Sequence, residues 1–590
     1  MNTKTRQPVD NLKALLIKSK QASLKLFVAV SSFAKKHFTR KEAFFFVIML
    51  LLSFFDQFTA RYTALTNTSV ANTVISFFTF SDPFFMKDVL CWAALMMLPL
   101  LLMGRFSRYI YIPVIFLTAI SDSVIIFAWS NFNLYLDGDW VGIVLASNPE
   151  ELSVFLKTYA FSILSFLILL IATAFFCLSF IVVCKLKTSK VSWTRSAIAV
   201  MTALMFCIAM PIPNAFTNSP MCRFTANTIK EFTHYQRLAK LKKNPEIPDV
   251  NISGNNMVLG VFILGESATR NHWSLYGYPK KTTPRMDGLK DELFIFQDLV
   301  TPVSNTAKAM ELIFTQSSIE EPNNPKCTYA QMLKKAGYDV SHYSSQSRWG
   351  KWDGVESFIF SGADPLVFIE EENIADNEWH DDVLLKYLEN DISSRTNHAV
   401  TILHLDGSHY PAAAHYPSRN RPLELETFIL ENAGPNAATN EYDNSIFFTD
   451  MLLGATIDKL KKRGGFSWMI YISDHGDSIG ANSFRLTNDR NVWEVPMIVW
   501  LSEDYKKIHP EIVKELENSV RKPLQSDLLL PGFLRIAGAS GWHVGTEKDF
   551  LNEKFKPRSP RIIEGGRVNY SWEPINKTES DPGKPESPEK

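Results

Sequence analysis

The feature that most constrains this chain is a set of apolar runs near its N-terminus, each long enough to cross a bilayer core of about 30 Å. Hydrophobic residues make up 46% of the 590 residues, and they are concentrated in these runs. The sequence therefore predicts a five-helix transmembrane domain over residues 43–212. The runs lie at residues 43–61, 88–103, 109–129, 158–184 and 196–211.

The charges between these runs alternate in sign along the chain. The N-terminal arm, residues 1–42, is basic, and so are the loops after the second and fourth runs, whereas the loop after the third run is acidic. Because basic loops stay on the cytoplasmic side, the N-terminus is predicted inside and the C-terminal part outside. The loop charges are Arg105 and Arg108, then Asp137, Asp139, Glu150 and Glu151, then Lys185, Lys187, Lys190 and Arg195.

The C-terminal part has the pattern of a soluble α/β domain. Short apolar runs at residues 257–264, 399–405, 468–472 and 495–501 alternate with helix-like segments. Continuous apolar strands between helices are typical of a mostly parallel sheet covered on both faces. We predict a linker or bridging helix over residues 213–250, a catalytic domain over residues 251–570, and a disordered tail over residues 571–590, which is rich in Pro, Ser, Glu and Lys.

Overall charge and cysteine content exclude two classes of protein. Lys and Arg number 61, as do Asp and Glu, so a nucleic-acid partner has no electrostatic support. Of the six cysteines only Cys222 and Cys327 lie outside the apolar runs. One disulfide could form between them, but a disulfide framework is excluded.

Metal-type ligands follow three of the predicted strands. Glu266 ends the first strand, Asp474 and His475 follow another, and His404 and His409 lie at the end of a third. The carboxyl ends of parallel strands meet at one edge of a sheet, so these side chains should converge. Two carboxylates and an imidazole suit zinc, with manganese as the less favoured alternative.

A hydroxyl nucleophile is expected beside this cluster. Ser304 and Thr306 precede a predicted helix, where the helix N-terminus favours a bound phosphate and a divalent cation favours the alkoxide. The residues alone do not choose between the two hydroxyls, and a simple helix N-cap is the structural alternative for both.

Several motifs together resemble the bacterial phosphoethanolamine transferases of the alkaline phosphatase superfamily, and most closely their lipopolysaccharide-core branch. The resemblance covers the five-run N-terminal region as well as the soluble part. Its motifs, in chain order, are Gly265-Glu266-Ser267, Ser274-Leu-Tyr-Gly-Tyr-Pro279, Thr282-Thr-Pro284, Glu441-Tyr442-Asp443-Asn444 and Ser473-Asp474-His475-Gly476.

The resemblance implies a function, a location and a site. Phosphoethanolamine would pass from phosphatidylethanolamine to a lipopolysaccharide core, lipid A or another envelope glycan, in a multi-pass protein of the bacterial inner membrane with a periplasmic catalytic domain. Thr306 would be the nucleophile, and His404 and His409 would act on the phosphoryl group or the acceptor. Zinc would bind Glu266, Thr306, Asp474 and His475, while Ser347 and Lys351 would contact substrate.

One departure from the family bears on the number of metal ions. Relatives commonly carry a further histidine where this chain has Thr487. Without it, His404 and His409 are two imidazoles with no third histidine and no nearby carboxylate, so we expect one tightly bound zinc and at most a weak second ion.

Three alternative functions share some of these features. A phosphoglycerol transferase acting on a glucan or teichoic-acid-like polymer shares this architecture and is the main alternative. A sulfatase would need a Cys or Ser in a Cys/Ser-x-Pro-x-Arg context, and Cys327 is followed by Thr-Tyr-Ala-Gln instead. A catalytically inactive scaffold would have no physical need for the complete set of metal-type ligands.

Overall fold

The computed structural model describes residues 98–100, 102–132, 220–254, 257–322, 325–346, 355–369, 380–417, 437–479 and 489–563, together with the single residues 177, 181, 193, 197 and 201. The chain divides into two compact units, Met1–Phe232 and Thr233–Lys590.

The first unit is described mainly through one helix, α1 (Arg108–Phe132), which contains the third predicted apolar run. The other four predicted runs lie wholly or largely outside the described residues. Within the part of the chain that is described, no helix meets the combined length and hydropathy that a membrane crossing requires.

A second long helix, α2 (Pro220–Lys243), lies within residues 213–250, the segment that the sequence predicts as a linker or bridging helix. Cys222 lies on this helix, and Cys327 is buried in the second unit.

The strands in the described part of the α/β unit are β1 (Val250–Ile252), β2 (Val258–Gly265), β3 (Leu293–Ile295), β4 (Leu299–Val300), β5 (Asp339–Ser344), β6 (Leu366–Phe368), β7 (Ala399–His404), β8 (Phe466–Ser473), β9 (Met497–Leu501), β10 (Leu524–Gln525) and β11 (Ala539–Gly541). They form three sheets, and the largest has seven strands in the order β3-β9-β8-β2-β7-β5-β6. Its members β2, β8, β7, β5 and β6 run parallel, whereas β9 is antiparallel to both β8 and β3. The prediction of a mostly parallel sheet is thus confirmed.

Helices cover both faces of this sheet. The remaining helices are α3 (Pro284–Gly288), α4 (Thr306–Phe314), α5 (Tyr329–Ala336), α6 (Val355–Ile359), α7 (Leu384–Ser394), α8 (Ala437–Arg463), α9 (Arg490–Trp493), α10 (Glu503–Ile508), α11 (Pro510–Ser519) and α12 (Leu530–Ile536).

Alternation along β2 explains why its sequence is apolar throughout. Phe262 and Leu264 pack in one core cluster, with residues of α4, α5 and α6. Val261 and Ile263 point to the opposite face and pack with residues of α7 and α8. Because successive side chains of a strand point to opposite faces, a strand between two helical layers must be apolar at every position.

Candidate active site

The carboxyl ends of β2 and β8 bring three metal-type ligands together. Gly265 pairs with Ser473 in the parallel register, so the residues that follow them are neighbours. Nε2 of His475 lies 3.5 Å from Oε1 of Glu266 and 3.1 Å from Oδ2 of Asp474. All three side chains are completely buried. Two carboxylates shielded from water at this spacing need a compensating positive charge.

Thr306 lies beside these three side chains as the first residue of α4. Its Oγ1 is 3.3 Å from Oε1 of Glu266 and 3.2 Å from Nε2 of His475. Asn305 is the N-cap of α4, with its side chain accepting from the N–H of Lys308. Neither Ser304 nor Thr306 is therefore the capping residue, and the hydroxyl of Thr306 is directed to the cluster.

Ser267 holds the two carboxylates in place. Its backbone N–H donates to Oδ1 of Asp474 at 2.9 Å, and its Oγ donates to Oε1 of Glu266 at 2.7 Å. The residue has a φ of 57°, in the left-handed region that non-glycine residues rarely adopt. Its carbonyl accepts from the hydroxyl of Tyr442 at 2.7 Å, and the same hydroxyl accepts from the N–H of Thr269 at 2.8 Å. Strain of this kind persists only where neighbouring contacts impose it.

The loop after β7 passes close to the backbone of Glu266. The N–H of Ser408 donates to the carbonyl of Glu266 at 2.9 Å. Gly407 has a φ of +54°, and a Cβ atom there would lie 2.8 Å from that carbonyl oxygen. Only glycine fits this position without a shift of one of the two segments.

The donor set fits a tetrahedral metal ion. Zinc binds nitrogen and oxygen ligands at about 2.0–2.2 Å, which places the ligands of a tetrahedron about 3.3 Å from one another. Four separations here lie between 3.1 and 3.5 Å: Thr306 to Glu266, Thr306 to His475, and His475 to each carboxylate. The four residues therefore have the chemistry and spacing of a zinc site.

His404, at the end of β7, lies in a second cluster that the sequence did not predict. Its Nδ1 is 2.7 Å from Oε1 of Glu356, and Nε2 of His342 is 3.4 Å from the same oxygen. Burial opposes ionisation of Glu356, but the two imidazoles outweigh it and lower the pKa of the carboxyl to about 2. The expectation that His404 has no carboxylate partner was wrong, because Glu356 follows no strand and only the fold brings it to β7.

His409 does not join His404. Its ring lies against that of His415, with centroids 5.9 Å apart and the planes perpendicular. Nδ1 of His415 is 3.6 Å from Oδ2 of Asp406. Asp381 accepts from the backbone N–H of Asp406 at 2.8 Å, and burial, together with the nearby Asp406 carboxylate, raises the pKa of Asp381 to about 6. Asp406, His409 and His415 lie on the loop after β7, and Asp381 accepts a hydrogen bond from that loop.

Three residues singled out in the sequence, Ser347, Lys351 and Thr487, lie outside the described residues. Gln346, next to Ser347, was not predicted as a site residue. Its Nε2 donates to Oε2 of Glu266 at 3.1 Å and to the carbonyl of Leu405 at 3.0 Å. Its place just after β5 was the signal that could have identified it, since polar residues at the carboxyl ends of parallel strands line such sites.

Residues 259–539 match the family model described as Sulfatase. The chain contains a Sulfatase-family domain. This domain belongs to the alkaline phosphatase superfamily. The match includes all four residues of the zinc-type cluster and the two histidines of the loop after β7.

Relatives of this chain include two named enzymes. Phosphoethanolamine transferase EptC of Escherichia coli (strain K12) is 24% identical over 319 residues, which is 52% of this chain and 55% of EptC. Phosphoethanolamine transferase EptA of Helicobacter pylori is 27% identical over 417 residues, which is 66% of this chain and 75% of EptA. The chain thus spans about half of one relative and three quarters of the other.

Among solved structures, the chain resembles the integral membrane protein lipooligosaccharide phosphoethanolamine transferase A of Neisseria meningitidis. The TM-score is 0.60 at 18% identity, over 86% of this chain and 98% of that one. At this identity the likeness shows the fold.

Proposed function

We propose that this protein transfers phosphoethanolamine from phosphatidylethanolamine to a cell-envelope acceptor, a lipopolysaccharide core, lipid A or a related glycan. The observation that carries the proposal is the hydroxyl of Thr306, 3.2 Å from His475 and 3.3 Å from Glu266, at the start of a helix. The relatives named phosphoethanolamine transferase support this reading over the phosphoglycerol alternative.

The reaction proceeds in two displacements at phosphorus. Thr306 Oγ1 attacks the donor phosphorus and the bond to the diacylglycerol oxygen breaks, while Thr306 loses a proton and the departing oxygen gains one. The acceptor oxygen then attacks the same phosphorus and the bond to Thr306 Oγ1 breaks, while the acceptor hydroxyl loses a proton and Thr306 regains one. The backbone N–H groups at the start of α4 favour the negative charge of the bound phosphoryl group.

Zinc held by Glu266, Thr306, Asp474 and His475 would supply Lewis-acid stabilisation of the ionised hydroxyl. Ser267 and Gln346 position the Glu266 carboxylate through the hydrogen bonds described above. Hydrogen bonds of this kind orient metal ligands and tune their affinity. Manganese is the less favoured occupant, because the imidazole in the set suits zinc better.

Other residues would act on the substrates. We assign His409 to the acceptor side, since it lies on the loop after β7 beside His415. His404 would act on the phosphoryl group or the acceptor from the buried side of the site, where the hydrogen bond between its Nδ1 and Glu356 orients the ring. Ser347 and Lys351 remain assigned to the donor phosphate on the basis of the sequence. A hydrolytic sulfatase is disfavoured because the hydroxyl at the cluster is a threonine, which cannot give formylglycine.

The membrane placement follows from the sequence. The apolar runs and the alternating loop charges support a multi-pass protein of the bacterial inner membrane, with a cytoplasmic N-terminus and a periplasmic catalytic domain. This location would put the domain beside both a phospholipid donor and a glycolipid acceptor. No nucleic-acid partner is proposed.

Mass spectrometry of the covalent intermediate tests the proposal. Protein incubated with phosphatidylethanolamine should carry a phosphoethanolamine adduct on the peptide that contains Thr306. Thr306→Ala should abolish the adduct and the turnover, whereas Ser304→Ala should keep the adduct on Thr306. An adduct on Ser304, or full turnover in Thr306→Ala, would show that Thr306 is not the nucleophile.

The acceptor is tested separately, in a strain that lacks this protein. Mass spectrometry of its lipid A, core oligosaccharide and envelope glycans should show the loss of phosphoethanolamine from one of these fractions. Loss of phosphoglycerol instead would favour the alternative transferase.

A further inference from the structure

The cluster formed by His342, Glu356 and His404 shares no residue with the zinc-type cluster that contains Thr306. His342 is on β5 and His404 on the neighbouring strand β7, where Ser344 and His404 are register partners. Because alternate residues of a strand share a face, His342, Ser344 and His404 all point to one side of the sheet. Glu356 comes from α6, which packs on that side.

Four donor atoms converge in this cluster. Oε1 of Glu356 lies 2.7 Å from Nδ1 of His404 and 3.4 Å from Nε2 of His342. Oγ of Ser344 lies 3.3 Å from Nδ1 of His404. The two imidazole side chains are 0% exposed and the carboxylate 10%. Two nitrogens and one carboxylate oxygen at these separations form a donor set that zinc and similar divalent ions prefer.

Hydrogen bonding alone satisfies the cluster poorly. Both imidazoles point at the same carboxylate oxygen, and the contact from His342, at 3.4 Å, is long for a hydrogen bond. Nδ1 of His342 has no hydrogen-bond partner among the described residues. The buried Nδ1 of His342 is therefore unsatisfied, while the other nitrogen of the ring is directed at Glu356.

The charge of Glu356 also needs compensation. Within the described ranges its ion pairs are to the two imidazoles, and no lysine or arginine there forms one with it. A buried carboxylate is costly unless it is paired or coordinates a metal ion. A divalent cation would satisfy the carboxylate and both imidazoles at once.

We propose that His342, Glu356 and His404 form a second divalent-metal site, with zinc as the preferred ion. Ser344 or a water molecule completes the shell. This replaces the expectation of a single tightly bound ion, which assumed that His404 has no carboxylate partner. The site does not depend on phosphoethanolamine being the transferred group.

A competition titration tests the site in the full-length protein purified in detergent. Metal-stripped protein is titrated with zinc against a chromophoric chelator, and bound zinc is counted by mass spectrometry. The wild type should bind about two zinc ions per chain, and Glu356→Gln or His342→Phe about one. Asp474→Asn, which removes a ligand of the first cluster, should also bind about one, and its combination with Glu356→Gln none.

Glu311→Gln is the matched control. Glu311 is a buried carboxylate on α4 that pairs with one imidazole, His234, at 2.7 Å, without a second histidine. The Glu311→Gln variant should bind as many zinc ions per chain as the wild type. Circular dichroism identifies any variant that fails to fold. The number of zinc ions bound by the wild-type protein tests the proposal without any variant.

The outcomes separate the two clusters. A wild-type chain with a single zinc that is lost in Asp474→Asn and kept in Glu356→Gln would overturn this proposal. Zinc that is lost in Glu356→Gln but unchanged in Asp474→Asn would support the second site and refute the zinc assignment made under the proposed function.

Discussion

Replacing Gly407 with alanine tests whether the loop after β7 positions the Glu266 carboxylate. A Cβ atom at this position would lie 2.8 Å from the carbonyl oxygen of Glu266 and 3.0 Å from its nitrogen. Ordinary contacts of a methyl carbon begin near 3.5 Å, so one of the two segments must move by about 0.5–0.7 Å.

The cost has two parts. The left-handed φ of +54° costs an alanine about 1 kcal/mol, and overpacking of this kind costs about 1–3 kcal/mol more. We expect Gly407→Ala to lower the free energy of unfolding by about 2–4 kcal/mol. Because a misplacement of about 1 Å can cost about a hundredfold in rate, transferase activity should fall by about 10–100-fold.

Gly464→Ala is the control for backbone strain alone. Gly464 has a φ of +71° with no atom within 4 Å of the added carbon, in the connection between α8 and β8. It should lose about 1 kcal/mol of stability and keep zinc binding and activity. Denaturant unfolding, zinc titration and turnover are measured for both variants. If Gly407→Ala binds zinc and turns over as well as Gly464→Ala, the contact with Glu266 does not position the carboxylate.

Four further predictions concern the same region. Tyr442→Phe should lower the free energy of unfolding by about 1–3 kcal/mol, measured by denaturation, because it leaves the buried N–H of Thr269 without its acceptor. Ser267→Ala removes the donor to Glu266 and should weaken zinc binding about tenfold in a competition titration. Burial raises the pKa of Asp450 from 3.8 to about 7, so its protonated form stabilises the fold at low pH and this stabilisation is lost as the pH rises through that range. Asp450→Asn should flatten this part of a plot of melting temperature against pH. Removal of metal with a chelator should abolish transfer, and zinc should restore it.

Each of these predictions has an outcome that contradicts it. Unchanged stability in Tyr442→Phe would mean that another group accepts from Thr269. Unchanged zinc affinity in Ser267→Ala would mean that Gln346 alone orients Glu266. A wild-type melting temperature that does not fall between about pH 4 and pH 7 relative to Asp450→Asn would show that Asp450 stays ionised when folded. Full transfer in chelator-treated protein would exclude a metal requirement.

The sequence was sufficient for the class of fold and for much of the main cluster. Apolar strands and amphipathic helices differ in period, so β2, β7, β8 and β9 could be located from the sequence alone. Glu266, Asp474 and His475 were found because each directly follows a strand, and parallel strands end at one edge of a sheet.

The tertiary structure decided which candidate residues lie close together, because local sequence patterns do not determine this. The choice of Thr306 as the hydroxyl at the cluster depended on which residue caps α4, and the cap is Asn305. The separation of His404 from His409 arose because one points into the core from β7 and the other lies on the loop beyond it.

Glu356 illustrates the limit most clearly. It lies 48 residues before His404 in the chain and 14 after His342, with no motif to connect the three. The pairing of β5 with β7 and the packing of α6 on their shared face bring these residues within hydrogen-bonding distance. A sequence specifies which side chains can bind a metal ion, but strand order and helix packing determine which of them meet, because contacts across a sheet join residues that are far apart in the chain.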